Sequence, residues 1–221
     1  MSHNSNTIWD RRYQAGALWG EFSSATAKLL LSKLETESRV LDVGCGYGRD
    51  VITIGGEGHY VTGIDRSLTA INMARKRVLA AGLNMNKVEL AKSDSASLSS
   101  DEGVFDALLS HRFLHLLDEA SAHSFSNAAA KLVRPGGCLA ISARNQNDFC
   151  PNQMRFVSDG VAEYRDRPGH RVRFFDQARY RQLFEPQFRR LQFVDMQEQE
   201  SITNQGVLTH ITIILCQRSL A

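Results

Sequence analysis

Three glycines at alternate positions, Gly44, Gly46 and Gly48, follow directly after an apolar run in the segment VLDVGCGYGR. Glycines placed in this way let a backbone turn sharply and approach a ligand closely. Asp65 ends the next apolar run, 21 residues after Gly44. A carboxylate at that point can accept two hydrogen bonds from a ribose diol. The pattern therefore predicts a site for a ligand that contains a nucleoside.

The residues around the glycines narrow the class of ligand. The dinucleotide fingerprint has a glycine where this chain has Arg49, and the GK[ST] sequence of a phosphate-binding Walker A loop is missing. Asp42 places a negative charge directly before the loop, where it would repel a phosphate and attract a cation. A cationic, phosphate-free cofactor with a ribose fits this pattern, and we expect S-adenosylmethionine.

A second group of polar residues follows the fourth and fifth predicted strands, where ligands of open parallel sheets bind. His111 is a candidate general base, since the ordinary pKa of histidine, about 6.5, suits that task; it can equally cap a helix. Asn145, after the fifth strand, and Tyr180 are further candidates on the acceptor side. His111 and His115 are four residues apart, but HRFLH lacks the glutamate of the HExxH zinc motif, and we expect no metal site.

Short apolar runs that alternate with helical patterns must position these side chains. Such an alternation is typical of a parallel sheet. The predicted strands are 39–43, 60–65, 87–91, 105–110 and 138–143, the last of them after a Pro135-Gly136-Gly137 turn. The predicted helices are 25–34, 50–56, 67–81, 120–133 and 176–184. Two further strands, 191–200 and 206–217, predict an antiparallel hairpin at one sheet edge. Segment 145–173 fits neither pattern, and we expect an irregular lid or binding loop there.

The expected fold class is α/β, a single Rossmann-like, doubly wound domain over 1–221 with a mostly parallel seven-stranded sheet. Within it we expect an aromatic N-terminal cover and helix (1–36), a cofactor-binding core (37–144), an acceptor-side insertion (145–190) and the C-terminal hairpin (191–221). The acceptor-side segment is rich in arginine and has no lysine. Guanidinium groups suit an anionic acceptor or the carboxylate of the cofactor, although a solvated basic face is the commoner explanation.

Five segments give the chain a resemblance to class I S-adenosylmethionine-dependent methyltransferases. They are VLDVGCGYGRD (40–50), YVTGIDRS (60–67), AKSDSASL (91–98), FDALLSHRFLHLL (105–117) and LVRPGGCLAIS (132–142). The resemblance implies that Asp65 binds the ribose and that Asp94 meets the adenine amino group. The Asn/Asp-Pro-Pro-aromatic motif of amino-directed nucleic-acid methyltransferases is absent after the fourth strand, which disfavours a nucleic-acid substrate.

The N-terminal segment IWDRRYQAGALWG (8–20) resembles the start of small-molecule methyltransferases of the tellurite-resistance and thiopurine type. The resemblance implies that Trp9, Tyr13 and Trp19 lie near the sulfonium or the acceptor. An aromatic face attracts such a cation by roughly 0.5–2 kcal/mol. The alternative is a hydrophobic anchor that packs the N-terminus on the core.

Motifs and resemblance together give the following candidate residues. For cofactor binding they are Trp9, Tyr13, Asp42, Gly44, Cys45, Gly46, Gly48, Asp65, Arg66, Asp94, Ser95, Ser110 and His111. For catalysis they are Tyr13, His111, Asn145 and Tyr180. No residue is a candidate metal ligand.

Composition limits the classes of function. The chain has 221 residues, 43% hydrophobic and 23% charged, and a formal net charge of +2. This balance gives no argument for nucleic acid or a membrane surface, and the polar start lacks a signal core. We therefore expect a cytoplasmic protein, monomeric or homodimeric, that acts on a small molecule.

Three functions remain open at this point. The first is methyl transfer to a small-molecule acceptor. The second is an S-adenosylmethionine cyclase that forms azetidine-2-carboxylate and releases methylthioadenosine, with Trp9, Tyr13, Asn145, Tyr180 and Ser201 as candidates beside the amine. The third is a cofactor-binding protein without catalysis.

Overall fold

A computed structural model describes residues 5–15, 20, 22–94, 104–199 and 208–220. Its centre is a sheet of seven strands, which are β1 (Arg39–Val43), β2 (Tyr60–Asp65), β3 (Val88–Lys92), β4 (Phe105–Ser110), β5 (Val133–Arg144), β9 (Phe188–Gln199) and β10 (Leu208–Arg218). Their order in the sheet is β3-β2-β1-β4-β5-β10-β9. Strands β1 to β5 pair in parallel, and β10 is antiparallel to both β5 and β9. The predicted fold class, including the antiparallel C-terminal pair, is confirmed.

Helices cover both faces of this sheet. They are α1 (Ser5–Gln14), α2 (Ala25–Leu31), α3 (Arg49–Gly56), α4 (Leu68–Ala80), α5 (Glu119–Leu132) and α6 (Gln177–Phe184). Two separate clusters of buried apolar side chains fill the space between the helices and the sheet. Burial on both faces explains why the parallel strands are continuous apolar runs in the sequence.

Polar residues fix where the helices begin. The side chains of Ser24, Ser67, Asp118 and Asp176 each accept a backbone N–H from the first turn of the helix that follows. This contact satisfies a donor that would otherwise lack a partner. The predicted start of α4 at Ser67 is therefore correct.

Strand β5 is longer than the sequence predicts. It begins at Val133 and runs through Pro135, Gly136 and Gly137, which we expected to form a turn before the strand. A Cβ atom on Gly137 would lie 2.5 Å from the carbonyl oxygen of Asp106. Gly137 thus permits the close approach of β4 and β5. The pairing of the two strands shifts between Phe105 and Ala107, and Gly136 has a φ angle of 78°, so the backbone departs from regular strand geometry where we expected a turn. The predicted start of the strand at 138 was wrong.

The segment expected to be irregular forms a second, antiparallel sheet, which we call the small sheet: β6 (Met154–Ser158), β7 (Val161–Tyr164) and β8 (Arg171–Arg173). Its buried apolar side chains form a cluster separate from the two of the main sheet. Strands of three to five residues are too short for alternation to be recognised, and four of the five residues of β6 are exposed. The predicted irregular loop at 145–173 was therefore wrong.

Candidate active site

A cavity of about 270 Å³ lies at the carboxyl ends of the parallel strands. The glycine loop after β1 and the end of β2 line one end, which we call the cofactor end. Strands β7 and β8 of the small sheet line the other end, which we call the acceptor end, together with helix α1 and the loop after β4, both of which also reach the glycine loop. One continuous space therefore joins the predicted cofactor motif to the segment of the chain that follows β5.

The glycine loop has a backbone that other residues adopt only with strain. Gly44, Gly46 and Gly48 have φ angles of 76°, 55° and 80°. A Cβ atom on Gly44 would lie 2.9 Å from the ring of Phe113, and one on Gly46 would lie 2.9 Å from Oη of Tyr13. Gly44 and Gly46 line the cavity, whereas Gly48 faces α4, where a Cβ atom would lie 2.9 Å from Cβ of Ala74. Gly48 thus lets the loop pack on α4 and is not among the described residues that line the cavity.

Three carboxylates surround this loop. Asp65 accepts hydrogen bonds from the backbone N–H groups of Gly46 (3.0 Å) and Ser67 (2.8 Å). Burial nevertheless raises the pKa of Asp65. Burial, and then the negative charge of Asp50, raise the pKa of Asp42 well above its usual range. Because the same three carboxylates line the cavity, a bound cation would relieve their mutual repulsion, and the residues present fit the positive charge of S-adenosylmethionine.

The other predicted contacts at the cofactor end are Cys45, Arg66 and Asp94, and all three line the cavity. Burial raises the pKa of the Cys45 thiol well above its usual range, so this sulfur is held as a neutral thiol. Ser95, Trp19 and Ser201 lie outside the described residues.

Helix α1 covers the cavity with two aromatic side chains, Trp9 and Tyr13. Tyr13 is buried, and this burial raises the pKa of its phenol well above the usual range. The carboxylate of Asp10 accepts hydrogen bonds from the Ser67 hydroxyl and from the backbone N–H of Thr69 (3.4 Å). The N-terminal helix is thereby fastened to the start of α4, beside Asp65.

His111 lines the cavity, but its ring is held by the protein on both sides. Its Nδ1 lies 2.9 Å from Oγ1 of Thr26 and 3.0 Å from Oγ of Ser142, and its Nε2 lies 3.1 Å from Oε2 of Glu198. Burial acts to raise the pKa of Glu198, but the hydrogen bond and charge of His111 outweigh it and lower that pKa to about 2. Glu198 is therefore ionised and orients the imidazole, a role that sequence reasoning missed.

Besides Gly48, three of the predicted site residues in the described part of the chain lie outside the cavity wall. Ser110 donates a hydrogen bond to the Val43 carbonyl (2.9 Å) and so joins β4 to β1. The Asn145 side chain accepts the N–H of Asn147 and donates to Oγ1 of Thr212.

Tyr180 is fully buried, and its hydroxyl donates to the carbonyl oxygen of Thr212 (2.7 Å). The contacts of all three residues stabilise the fold, and we leave them out of the proposed site.

The acceptor end brings together residues that the sequence did not single out as one group. Arg144 donates to Asp148 and to the hydroxyl of Tyr164, both at 2.7 Å. The ring of His170 lies 5.2 Å from that of Tyr164 and 6.1 Å from that of Trp9, measured between centroids. Burial, together with the charge of nearby arginines, lowers the pKa of His170 to about 4.

His115 lines the same end of the cavity. Its side chain is buried and its Nδ1 has no hydrogen-bond partner within the described part of the chain. Burial, and then the positive charges of Arg144 and Arg112, lower its pKa well below the usual value. His115 is therefore neutral at pH 7 and lies in a 3₁₀ turn (Leu114–Leu116), on a different element from His111.

Comparison with known proteins agrees with this arrangement. Residues 40–137 match the family described as methyltransferase domain. The ubiquinone biosynthesis O-methyltransferase of Alkalilimnicola ehrlichii is 38% identical over 127 residues, which are 57% of this chain and 48% of that protein. The chain spans about half the length of the curated relatives of this kind that it matches.

Two solved structures share the fold. One, from work on the conversion of a disulfide bond into a thioacetal group during echinomycin biosynthesis, has a TM-score of 0.76 and 21% identity and covers 97% of this chain and 91% of that chain. The other, the Burkholderia thailandensis 1,6-didemethyltoxoflavin-N1-methyltransferase, has a TM-score of 0.73 and 18% identity. It covers 97% of this chain and 87% of that chain.

The glycine loop, the carboxylate that ends β2 and the strand order define a class I S-adenosylmethionine-dependent methyltransferase domain. The residues that match the methyltransferase domain family, 40–137, include this loop and this carboxylate. The predicted family and cofactor are thus confirmed. None of the helices formed by the described residues has the length and apolar character needed to cross a membrane.

Proposed function

We propose that this protein transfers the methyl group of S-adenosylmethionine to a small-molecule acceptor. The observation that carries the proposal is the single cavity that joins the glycine loop to an end lined by arginine, histidine and tyrosine side chains beneath the small sheet. Its volume of about 270 Å³ is on the scale of small-ligand sites, which begin at roughly 300 Å³. The O-methyltransferase named above supports an acceptor of this kind.

The cofactor end would bind the donor through residues on three elements. Asp65 would accept hydrogen bonds from the ribose, as the family resemblance implies, and Asp94 would meet the adenine. The backbone of Gly44 and Gly46 would pass close to the donor, and Asp42 would lie on the side of its positive charge. Bound S-adenosylmethionine supplies an electrophilic methyl carbon and leaves as neutral S-adenosylhomocysteine.

At the acceptor end the chain must orient a nucleophile and remove its proton. Alignment alone can supply roughly 7–11 kcal/mol of the barrier. We assign the removal of this proton to His115, because its neutral imidazole lines the cavity and its Nδ1 lacks a hydrogen-bond partner in the described chain. The proton would pass from the acceptor to this ring as the new bond to carbon forms. His111 is a weaker candidate, since Thr26 and Ser142 flank its Nδ1 and the Glu198 carboxylate lies 3.1 Å from its Nε2.

The test is an incubation of the purified protein with S-adenosylmethionine, alone and with a panel of small phenols, thiols and amines, read by mass spectrometry. We expect S-adenosylhomocysteine and a methylated acceptor in at least one mixture, and intact donor without an acceptor. The variant Asp65→Asn should reduce this product, whereas Asp166→Asn, an exposed aspartate, should not.

Two results would overturn the proposal. Methylthioadenosine with a cyclic amino acid in the donor-only mixture would establish the cyclase, of whose candidate residues Trp9 and Tyr13 line the cavity. Tight binding of the donor without any product in the whole panel would establish a non-catalytic binding protein.

A further inference from the structure

The charged residues of the cavity wall are divided between its two ends. The acidic residues that line it are Asp42, Asp50, Asp65 and Asp94, and all of them belong to the cofactor end. The cofactor end also carries Arg49 and Arg66, so its acidic residues outnumber its basic ones by four to two. The acceptor end is lined by Arg12, Arg112, Arg144 and Arg171, and none of the described residues that line this end is acidic. The net formal charge of the lining residues is therefore negative at the cofactor end and positive at the acceptor end.

The arginines of the acceptor end come from four different elements. Arg12 lies on α1, Arg112 follows β4, Arg144 ends β5 and Arg171 begins β8. The fold therefore gathers guanidinium groups that are far apart in the sequence around one space. A solvated basic face, the commoner explanation of such residues in the sequence, does not account for their convergence on a cavity.

Burial and the charges of neighbouring arginines act together on two histidines of the acceptor end. Burial and then Arg144 and Arg112 lower the pKa of His115, and burial with Arg167, Arg12 and Arg144 lowers that of His170 to about 4. Both rings are therefore neutral at pH 7. The guanidinium groups carry the cationic charge of this end, and Asp148 offsets part of it through its ion pair with Arg144. A cationic acceptor would be repelled from such a wall.

We propose that the acceptor carries an oxyanion, a carboxylate or a phosphate ester, which binds among the arginines of the acceptor end. This inference rests on the proposed function, because it names the class of molecule that the same cavity methylates. Guanidinium groups match the oxygen geometry of both anions through paired N–H donors. The bound anion would also offset the positive charge around His115 and so make this imidazole a stronger base for the proton of the acceptor.

Arg171 is the residue that tests the proposal without disturbing the fold. It lies on β8 of the small sheet, its side chain is exposed at the cavity, and its nearest strand partner is Glu163. The matched control is Arg189, an exposed arginine on β9 that does not line the cavity. Both are changed to glutamine, which keeps a polar side chain and removes the charge.

The experiment is a calorimetric titration of the protein, first with S-adenosylhomocysteine and then, once loaded, with benzoate, phenyl phosphate and uncharged benzamide at constant ionic strength. We expect benzoate or phenyl phosphate to bind at least ten-fold more tightly than benzamide, and the tighter of the two identifies the anion. Arg171→Gln should weaken that anion three- to ten-fold and leave the affinity for S-adenosylhomocysteine unchanged. Arg189→Gln should change neither affinity.

The contrary outcomes are distinct. If neither anion binds more tightly than benzamide, the inference is wrong and the proposed function stands. If Arg171→Gln weakens S-adenosylhomocysteine and not the anion, the arginine serves the cofactor and the inference is wrong. If S-adenosylhomocysteine itself does not bind to the wild-type protein, the proposed function fails and the inference fails with it.

Discussion

Oε2 of Glu198, on the edge strand β9, lies 3.1 Å from Nε2 of His111 at the end of the central strand β4. The other carboxylate oxygen, Oε1, accepts the backbone N–H of Ala25 at the start of α2 (3.2 Å). One ionised side chain therefore holds together the sheet edge, a helix and the wall of the cavity.

We expect Glu198→Gln to destabilise the protein at neutral pH. The lowering of the pKa of Glu198 from 4.5 to about 2 corresponds to roughly 3 kcal/mol in the free energy of unfolding. The pKa is lower in the folded than in the unfolded state, so this contribution is complete above about pH 4.5 and is lost as the pH falls towards 2. Urea unfolding at pH 7, 5, 4 and 3 measures it.

The control for that experiment is Glu185→Gln, which removes an exposed partner of Arg181 on α6. Exposed pairs of this kind contribute about 0–1 kcal/mol. Equal stability of the two variants across the pH range would contradict the role of Glu198.

We expect Asp65→Asn to weaken the binding of S-adenosylmethionine. The loss of the charge removes charge-assisted hydrogen bonds to the ribose and weakens binding by roughly 1–3 kcal/mol, or about five- to 150-fold. Titration calorimetry measures the dissociation constant. Asp166→Asn is the control, and an unchanged affinity in Asp65→Asn would show that this carboxylate does not bind the donor.

We expect Gly48→Ala to cost more stability than Gly58→Ala. Both glycines have positive φ angles, 80° and 90°, so both variants bear a similar backbone strain. Only at Gly48 does the new methyl group meet a neighbour, Cβ of Ala74 at 2.9 Å, whereas nothing lies within 4 Å at Gly58. The additional loss in the free energy of unfolding should be about 1–3 kcal/mol, measured by chemical denaturation. An equal loss in the two variants would mean that the glycine loop does not pack on α4.

We expect Tyr180→Phe to lower the free energy of unfolding by about 1 kcal/mol and to leave donor affinity unchanged. The variant removes the hydrogen bond from the phenol to the Thr212 carbonyl and keeps the packing of the ring. Thermal denaturation and calorimetry measure the two quantities. A large loss of turnover at unchanged stability would return Tyr180 to the catalytic candidates.

We expect His115→Gln to reduce kcat for the acceptor identified in the panel by about 100-fold, because a positioned base typically contributes 10²–10⁴-fold. The wild-type rate should fall only at a pH well below 6.5, where this imidazole becomes protonated, because burial and then the neighbouring arginines lower its pKa from that value. The variant should lack this acid limb. His123→Gln, at an exposed position on α5, is the control, and full kcat in His115→Gln would exclude the assignment.

The sequence predicted the elements whose signal is local. Strands β1, β2 and β4 have the expected bounds, because each is a short buried run that polar residues or glycines delimit. The small sheet was missed, because its strands have three to five residues and little alternation.

The same distinction applies to the site. The glycine loop and Asp65 are recognisable in the sequence, because the shape of one cofactor dictates their spacing. The contacts of His111 with Glu198 and of Arg144 with Tyr164 join distant positions of the chain. Only the packing of the sheet brings such residues together, so no local pattern predicts them.

The small sheet has an apolar core of its own, built around Met154, Tyr164, Val172 and Phe174, and it lies outside the residues that match the methyltransferase domain family. Because this core shares no residue with the cluster beneath the glycine loop, substitutions in it should leave the packing of that loop unchanged. On the proposed function, natural selection can therefore remodel β6, β7 and β8, and with them the choice of acceptor, while the residues that bind the donor stay the same. Replacement of side chains within the small sheet is the corresponding route for changing specificity in the laboratory.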